Sequence, residues 1–508
     1  MPGGLVPGAP RGTGALGTRG LCAKHLVRGW VVANRVRLTA AITLAMLNVF
    51  TLGAGVAVAA LLPARLKLWQ VPQVAAVRIA APAAVLTPAV STGPLPTSQG
   101  LTAKLAHLIA SPSLGSHVGV VVTDLTSGSV LFARAAYSPA APASSAKLAT
   151  AVAALDELGP AARFTTRVVR GAAPGSVVLV GGGDPTLAAG QPPASDYPQP
   201  ATLESLARLT ARSLHAQGLS SVRLGYDVSL FTGPATAPGW SSSYVTTGNV
   251  TPITALEVDQ GRLTRSGKPE DADDPGNFRP RSFTPATGAA AAFASFLGAQ
   301  GIRVHGPVSA ATPPAGAVTI ASVHSPYLSA IVGWMLRESN NVIAENLARQ
   351  VALRTGQPGS FAGAAKAVTA SVTQLGIRSG IHLVDGSGLS PRDRISPMAL
   401  AGLVRVAGGR QAALRAAITG MPVAGFSGTL APGQSVFGNF GPAALGTVQA
   451  KTGNLTRVVS LAGIVSDSSG RLLAFAFMAD RLPGGQLVHA AGVIDAMATA
   501  LAGCGCRS

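Results

Sequence analysis

The chain has 508 residues, enough for one large domain with an insertion or for several domains of ~100–200 residues. Apolar residues make up 47% and charged residues 12%, with 61 Gly and 37 Pro, a balance that excludes wholesale disorder and marks a globular protein with loose ends. The net charge of +19 raises nucleic acid as a partner, but aromatics are only 5% and no basic run is interleaved with them, so the stacking surface of a single-strand binder is not evident and no nucleic acid is expected.

The charge is concentrated at the start. Arg11, Arg19, Lys24, Arg28, Arg35, Arg37, Arg65, Lys67 and Arg78 precede residue 100, and no acidic residue does. The remaining 30 Lys and Arg against 20 Asp and Glu leave about +10 on the body, read as a solvated face or as attraction to an anionic cell wall. Leu38–Leu62 is a run of 25 residues without a charge, longer than the ~20 needed to cross a bilayer and than the 7–15 of a signal-peptide core. Six basic residues precede it, so the positive-inside rule puts residues 1–37 in the cytoplasm and the rest of the chain outside. The expectation is a single-pass cell-membrane protein with one N-terminal transmembrane helix. The alternative is a secreted protein, because Ala57-Val58-Ala59 has the small-x-small form of a cleavage site.

Residues 63–100 are rich in Ala, Val, Pro, Thr and Ser without a helical or alternating pattern, which fits an extended spacer. Leu101–Ile109 has helical spacing, and Val118–Thr123 and Val130–Ala133 read as strands about a turn at Ser127-Gly128. After the Pro139–Pro142 loop, Leu148, Val152, Leu155 and Leu158 predict a helix over Ser144–Leu158 with one buried face. The stretch 164–315 changes character. Short strand-like runs (Ser176–Val180, Val222–Tyr226), Gly/Pro turns and the acidic segment Lys268–Arg281 read as a β-rich inserted module. The flanking segments, 101–163 and 316–508, form the catalytic domain in this reading. Strands at Thr447–Thr452, Arg457–Val465 and Leu472–Met478 and a helix at Gln486–Leu501 complete an antiparallel α+β core. Of three cysteines, Cys22 falls on the cytoplasmic side, and Cys504 and Cys506 sit close enough to pair with each other outside the cell; they supply no metal site.

A serine hydroxyl becomes a nucleophile only when a base takes its proton, usually His and sometimes a Lys of depressed pKa. The chain lacks G-x-S-x-G, H-E-x-x-H and a phosphate-binding G-x-x-x-x-G-K-[ST], and none of its eight His stands in a recognisable triad context. Among its seven Lys, only Lys147 has a serine three positions before it, Ser144 in PASSAKLATAVAAL, and i,i+3 residues share a helix face. By itself this is the pattern of many surface helices. Ser339-Asn340-Asn341 in WMLRESNNVIAENLA and Lys451-Thr452-Gly453 before Asn454 follow in the same order. S-x-x-K, S-x-N and K-T-G together are the signature set of penicillin-binding proteins and class A β-lactamases.

With GGGDPTL (181–187), YDVSLFTGPATAPGW (226–240), DGSGLSPRDRISP (385–397), PVAGFSGTL (422–430) and KTGNLTRVVSLAG (451–463), the chain resembles the class C, low-molecular-mass penicillin-binding proteins, the D-alanyl-D-alanine carboxypeptidase/endopeptidase family, over residues 101–500. The 191 residues between Lys147 and Ser339 fit the large insertion of that family. The resemblance implies a β-lactamase/transpeptidase-like domain, no metal or organic cofactor, peptidoglycan stem peptides as substrate and β-lactams as acylating inhibitors. Carried onto this sequence, it makes Ser144 the nucleophile and Lys147 its base, with Ser339 returning the proton to the leaving amine. Asn341 then orients Lys147 and the substrate amide, Lys451, Thr452 and Gly453 bind substrate, and the backbone N–H groups of Ser144 and Asn454 form the oxyanion hole. Ser145 and Asn340 replace the usual Thr and Asp, leaving two adjacent hydroxyls between which the i+3 spacing selects Ser144. Asp184, Asp385 and Ser387 lie in Gly-rich turns and read as backbone caps. A β-lactamase or esterase with the same apparatus, and a wall-binding scaffold with a lapsed site, are the rival readings.

Overall fold

The computed structural model describes residues 93–194, 196–263 and 279–506, together with Met46. The basic tail, the Leu38–Leu62 run apart from Met46, most of the spacer and most of the acidic segment after Gly267 lie outside the described residues. Among the described residues no helix is long and apolar enough to cross a membrane.

Two sheets organise the chain. The first is antiparallel and runs β11-β12-β13-β1-β2, built from β1 (Val118–Asp124), β2 (Val130–Arg134), β11 (Val448–Leu455), β12 (Val458–Ser466) and β13 (Leu472–Ala479). The terminal strands meet in the middle, with Val118 opposite Ala479 and Asp124 opposite Leu473. Side chains alternate between faces with period two. Phe475, Phe477 and Val120 join the cluster under α1 (Ser98–Ile109) and α10 (Leu487–Ala502). Ala474, Ala476, Met478 and Val121 face the opposite cluster, which holds α2 (Lys147–Leu158). Small residues on this second face let α8 (Pro397–Ala407) approach closely, and α2, packed beside α8, is buried along its first nine residues. Helices therefore cover both faces of the sheet. The nucleophile segment leaves β2 and enters the interior at α2, where water is excluded.

α1 begins at Ser98, inside the segment read as spacer, because the Thr97 side chain accepts a hydrogen bond from the Gly100 amide and caps it. The Thr97 amide donates to the Cys506 carbonyl, so the tail bearing the Cys504–Cys506 disulfide packs beside the start of this helix.

The second sheet runs β6-β5-β4-β3-β8, from β3 (Thr165–Arg170), β4 (Ser176–Val180), β5 (Ser221–Asp227), β6 (Arg303–Val304) and β8 (Thr319–His324), with β7 (Ser309–Ala310) also paired to β5. β4, β5, β6 and β7 are mutually parallel where they pair. Parallel neighbours need a crossover, usually a helix. α3 (Leu203–His215) and α4 (Pro285–Ala299) supply it and bury Leu206, Leu214, Phe293 and Leu297 against the sheet. This part of the chain is thus a mixed sheet with two substantial helices rather than the run of short strands and turns expected. LESLARLTARSLH carries apolar residues at three and four residue spacing that announce α3.

Between β8 and β11 in the chain come α5 (Leu328–Arg337), α6 (Asn341–Arg354), α7 (Phe361–Gln374), α8 (Pro397–Ala407) and the short α9 (Ala416–Thr419), with the two-residue strands β9 (Ile381–His382) and β10 (Arg394–Ile395) bracketing a tight loop.

Candidate active site

The nucleophile segment differs from its expected form. Residues Ala143–Ala146 make a 3-10 turn, and the α-helix proper starts at Lys147. In a 3-10 turn residues i and i+3 eclipse one another, so the tighter winding improves the facing of Ser144 and Lys147. Lys147 Nζ lies 2.9 Å from Ser144 Oγ. The turn is entered through Ala143 at φ 48°, an unusual left-handed alanine, whose carbonyl packs against Gly388. A Cβ at Gly388 would stand 1.9 Å from that oxygen, so only glycine fits.

The adjacent Ser145 points inward. Its hydroxyl donates to the Pro142 carbonyl at 2.7 Å and lies 3.1 Å from Ser460 Oγ, whereas Ser144 is half-buried and meets the lysine.

Lys147 is completely buried. Besides Ser144 it contacts Asn341 Oδ1 at 2.6 Å and the Ser387 carbonyl at 2.8 Å. Both of these atoms accept only. The Asn341 amide is held in that orientation because its Nδ2 donates to the Asn249 carbonyl at 2.9 Å. A neutral amine has two N–H donors and one lone pair. With both donors fixed on Asn341 and Ser387, the lone pair is left for the Ser144 O–H. Burial drives the Lys147 amine down from its ordinary value to about 7, against the opposing pull of Asp385, Glu345 and Asp393.

Those three carboxyl groups shape the loop behind the lysine. Glu345 on α6 accepts from the Gly386 and Ser387 amides at 2.9 and 2.8 Å. Asp385 accepts from the amides of Gly388 and Ser390, both at 2.7 Å, and from Trp240 Nε1 at 2.7 Å. Asp393 accepts from the Val384 amide at 2.6 Å. Burial pushes Glu345 and Asp393 up from the usual carboxylate range, with Asp385 nearby adding to both. Asp385 and Ser387 sit in the capping turn that was expected, yet the same turn sets the Ser387 carbonyl on the base.

Ser339 stands between α5 and α6 with φ 56°, a strained conformation for serine. Asn340 caps α6, accepting from the Ile343 amide at 3.0 Å. The structure thus brings Ser144, Lys147 and Asn341 into one hydrogen-bonded group and sets Ser339 two residues from Asn341.

β11 is an edge strand, and beyond the bridge from Gln449 to Val423 its outer side pairs with no other strand among the described residues. It carries Lys451, Thr452 and Gly453 past the nucleophile turn. A Cβ on Gly453 would lie 2.6 Å from the Pro142 carbonyl and 3.0 Å from the Ser145 amide, so glycine is what lets the strand lie against the turn. Lys451 is fully buried and donates to the Thr452 carbonyl at 2.9 Å and to Thr452 Oγ1 at 3.3 Å. Burial, then the nearby Lys147, hold its amine well below the usual lysine range. Thr452 Oγ1 also lies 2.8 Å from Thr429 Oγ1. Thr429 thus extends the hydroxyl row of Thr452; it lies within the PVAGFSGTL segment, but nothing in its own sequence context marks it. Asn454 follows, exposed, opposite Val459.

An S-x-x-K turn at the head of a buried helix, an S-x-N cap and an edge-strand K-T-G define the active-serine, penicillin-interacting class. The fold agrees: penicillin binding protein 4 from Haemophilus influenzae superposes with a TM-score of 0.62 at 22% identity, covering 79% of this chain and 98% of that one. The family model for D-Ala-D-Ala carboxypeptidase 3 (S13) matches residues 101–279 and 266–502, and the chain belongs to that family. It is similar to a carboxypeptidase of Mycobacterium tuberculosis, 39% identical over 433 residues (83% of this chain, 88% of that one). It is likewise similar to carboxypeptidase DacB of Mycolicibacterium smegmatis, 39% identical over 424 residues (82% and 86%).

Proposed function

We propose that the chain is a serine-type D-alanyl-D-alanine carboxypeptidase that trims peptidoglycan stem peptides through an acyl-enzyme on Ser144 and is acylated by β-lactams. The observation that carries this reading is the buried Lys147 amine, 2.9 Å from Ser144 Oγ, with its other two contacts on obligate acceptors. The names of the relatives and their family support the substrate class.

In the forward step Lys147 takes the Ser144 proton as Oγ attacks the carbonyl between the two D-alanines. The tetrahedral oxygen is held by the backbone N–H groups of Ser144 and Asn454, each such donor worth roughly 3–4 kcal/mol in comparable acyl transfers. The proton returns through Ser339 to the amine of the departing D-alanine. Asn341 orients Lys147 and the substrate amide. Lys451 polarises the hydroxyl row of Thr452 and, with Gly453 keeping the strand close, receives the terminal carboxylate. Water then resolves the ester, with the same lysine taking its proton. Transfer to a second peptide amine, or cleavage of a cross-link, uses the same site.

The residues 164–315 act as a module inserted into the catalytic domain. The chain is held in the cell membrane by Leu38–Leu62 with its catalytic part outside, and sequencing of the mature N-terminus separates this from release by cleavage near Ala59. Exposure to a labelled penicillin separates the enzymatic readings. A long-lived adduct on Ser144 supports the carboxypeptidase, rapid turnover a β-lactamase or esterase, and no adduct a scaffold.

A further inference from the structure

The S-x-N segment is gripped from the opposite side by a strained run of the second-sheet region. Asp259, Gln260 and Gly261 have φ values of 50°, 56° and 68°, three successive left-handed residues, of which the two non-glycines cost about 1–3 kcal/mol each. Such strain persists only where the surroundings over-determine it. Here the Asp259 amide donates to the Leu187 carbonyl at 2.9 Å, and its carboxylate accepts from the Ala189 amide at 3.1 Å. Arg281 Nη1 donates to the Gln260 carbonyl at 2.7 Å, and a Cβ on Gly261 would stand 2.5 Å from Thr251 Oγ1.

The outcome is one side-chain contact. Gln260 is fully buried, and its Oε1 accepts from Asn340 Nδ2 at 2.6 Å, while its Nε2 is buried with no partner among the described residues. An unpaired buried amide costs about 1–3 kcal/mol, a poor arrangement if folding were its only purpose. The Asn340 amide cannot turn over, because its Oδ1 is committed to the Ile343 amide as the cap of α6. Asn340 itself lies between the strained Ser339 and Asn341, which contacts Lys147.

We propose that Gln260 is a positioning residue for the reaction: it fixes Asn340 and, through it, the left-handed Ser339 that returns the proton to the leaving group. Asn340 serves both contacts at once, since its amide caps the helix through the oxygen and donates to Gln260 through the nitrogen. The inference rests on the acyl-transfer reading above, and its test separates the two.

The full chain and its variants are first titrated with a labelled penicillin to count active sites, and hydrolysis of a peptide ending in D-Ala-D-Ala is then measured per labelled site. Gln260→Leu removes the acceptor, and kcat per site falls about tenfold with KM within about twofold, the size of one lost hydrogen bond expressed only in the reaction. Gln260→Glu keeps an acceptor and stays within about threefold of the parent; Asn340→Asp does likewise, because Gln260 can turn its unpartnered nitrogen toward the acid. The double variant Gln260→Glu with Asn340→Asp sets two acceptors face to face and falls at least as far as Gln260→Leu, more than the product of the single effects. A purely structural role changes the number of sites and not the rate of each. Equal per-site kcat for Gln260→Leu and the parent overturns the proposal, as does a Gln260→Glu variant as slow as Gln260→Leu. If Gln260→Leu does not fold, additivity of the other two substitutions overturns it. A parent chain that takes no label on Ser144 overturns the acyl-transfer reading instead.

Discussion

Two neighbouring serines enter one turn and take different roles because of where their hydroxyls point. Ser145 is tied to Pro142 and Ser460, and Ser144 to Lys147. Lys147 decides the pH dependence. Its amine, lowered by burial to about 7, binds a proton below that pH and is then no base. The acylation rate constant with penicillin is therefore expected to climb by close to tenfold per unit below about pH 6 and about fivefold from about 6 to 7, and to level off above about 8. A profile flat from about 5 to 9 contradicts the assignment. Asn341→Asp puts a carboxylate in place of the amide oxygen 2.6 Å from Nζ. A negative neighbour favours the charged amine, so the limb moves to higher pH and the rate at pH 7 drops. An unmoved limb would remove Asn341 from that role.

Among the elements, the meeting of the 3-10 turn with β11 is the most exposed to test. Gly453→Ala brings a methyl to 2.2 Å from Ser460 Oγ and 2.6 Å from the Pro142 carbonyl. Backbone has to shift, at a cost of about 1–3 kcal/mol in denaturant unfolding, and penicillin acylation slows by more than that stability loss alone explains. Full labelling rates in Gly453→Ala would show that the strand need not touch the turn. Much of this was readable beforehand. S-x-x-K, S-x-N and K-T-G lie on local elements whose periodicity is strong, so β1, β2, α2, β11, β12 and β13 were anticipated to within a few residues. The motif residues could be named from the sequence because their chemistry needs fixed types at fixed local spacing. Glu345, Thr429 and Gln260 were not assigned such parts, because each acts through contacts with residues 23 to 80 positions away, which no local pattern records. The parallel strands and the two helices of the second sheet region were missed for a different reason. Gly and Pro turns outweighed the helical spacing of Leu203–His215, which was present in the sequence all along.

The two sheet regions are joined through buried polar groups, and Arg349 is central to them. Its guanidinium donates to the carbonyls of Thr232 and Gly359 at 3.2 and 2.9 Å and stacks 4.3 Å from the Phe361 ring. Glu345 and Glu257 are the carboxyl groups nearby, and burial holds Glu257 up at about 8. Arg349→Met takes the donor from the Thr232 and Gly359 carbonyls and the guanidinium from the Phe361 ring. A loss of about 2–4 kcal/mol in stability follows, read from chemical denaturation. A change below about 1 kcal/mol would mean that the network does not hold the regions together.

Everything rests on Ser144 as the acylated residue. Incubation of the protein with a labelled penicillin, followed by intact mass and peptide mapping, tests this most directly. One adduct per chain, on the peptide containing Ser144 and lost in Ser144→Ala, is the expected result. An adduct that persists in Ser144→Ala, or maps to Ser145, would contradict it.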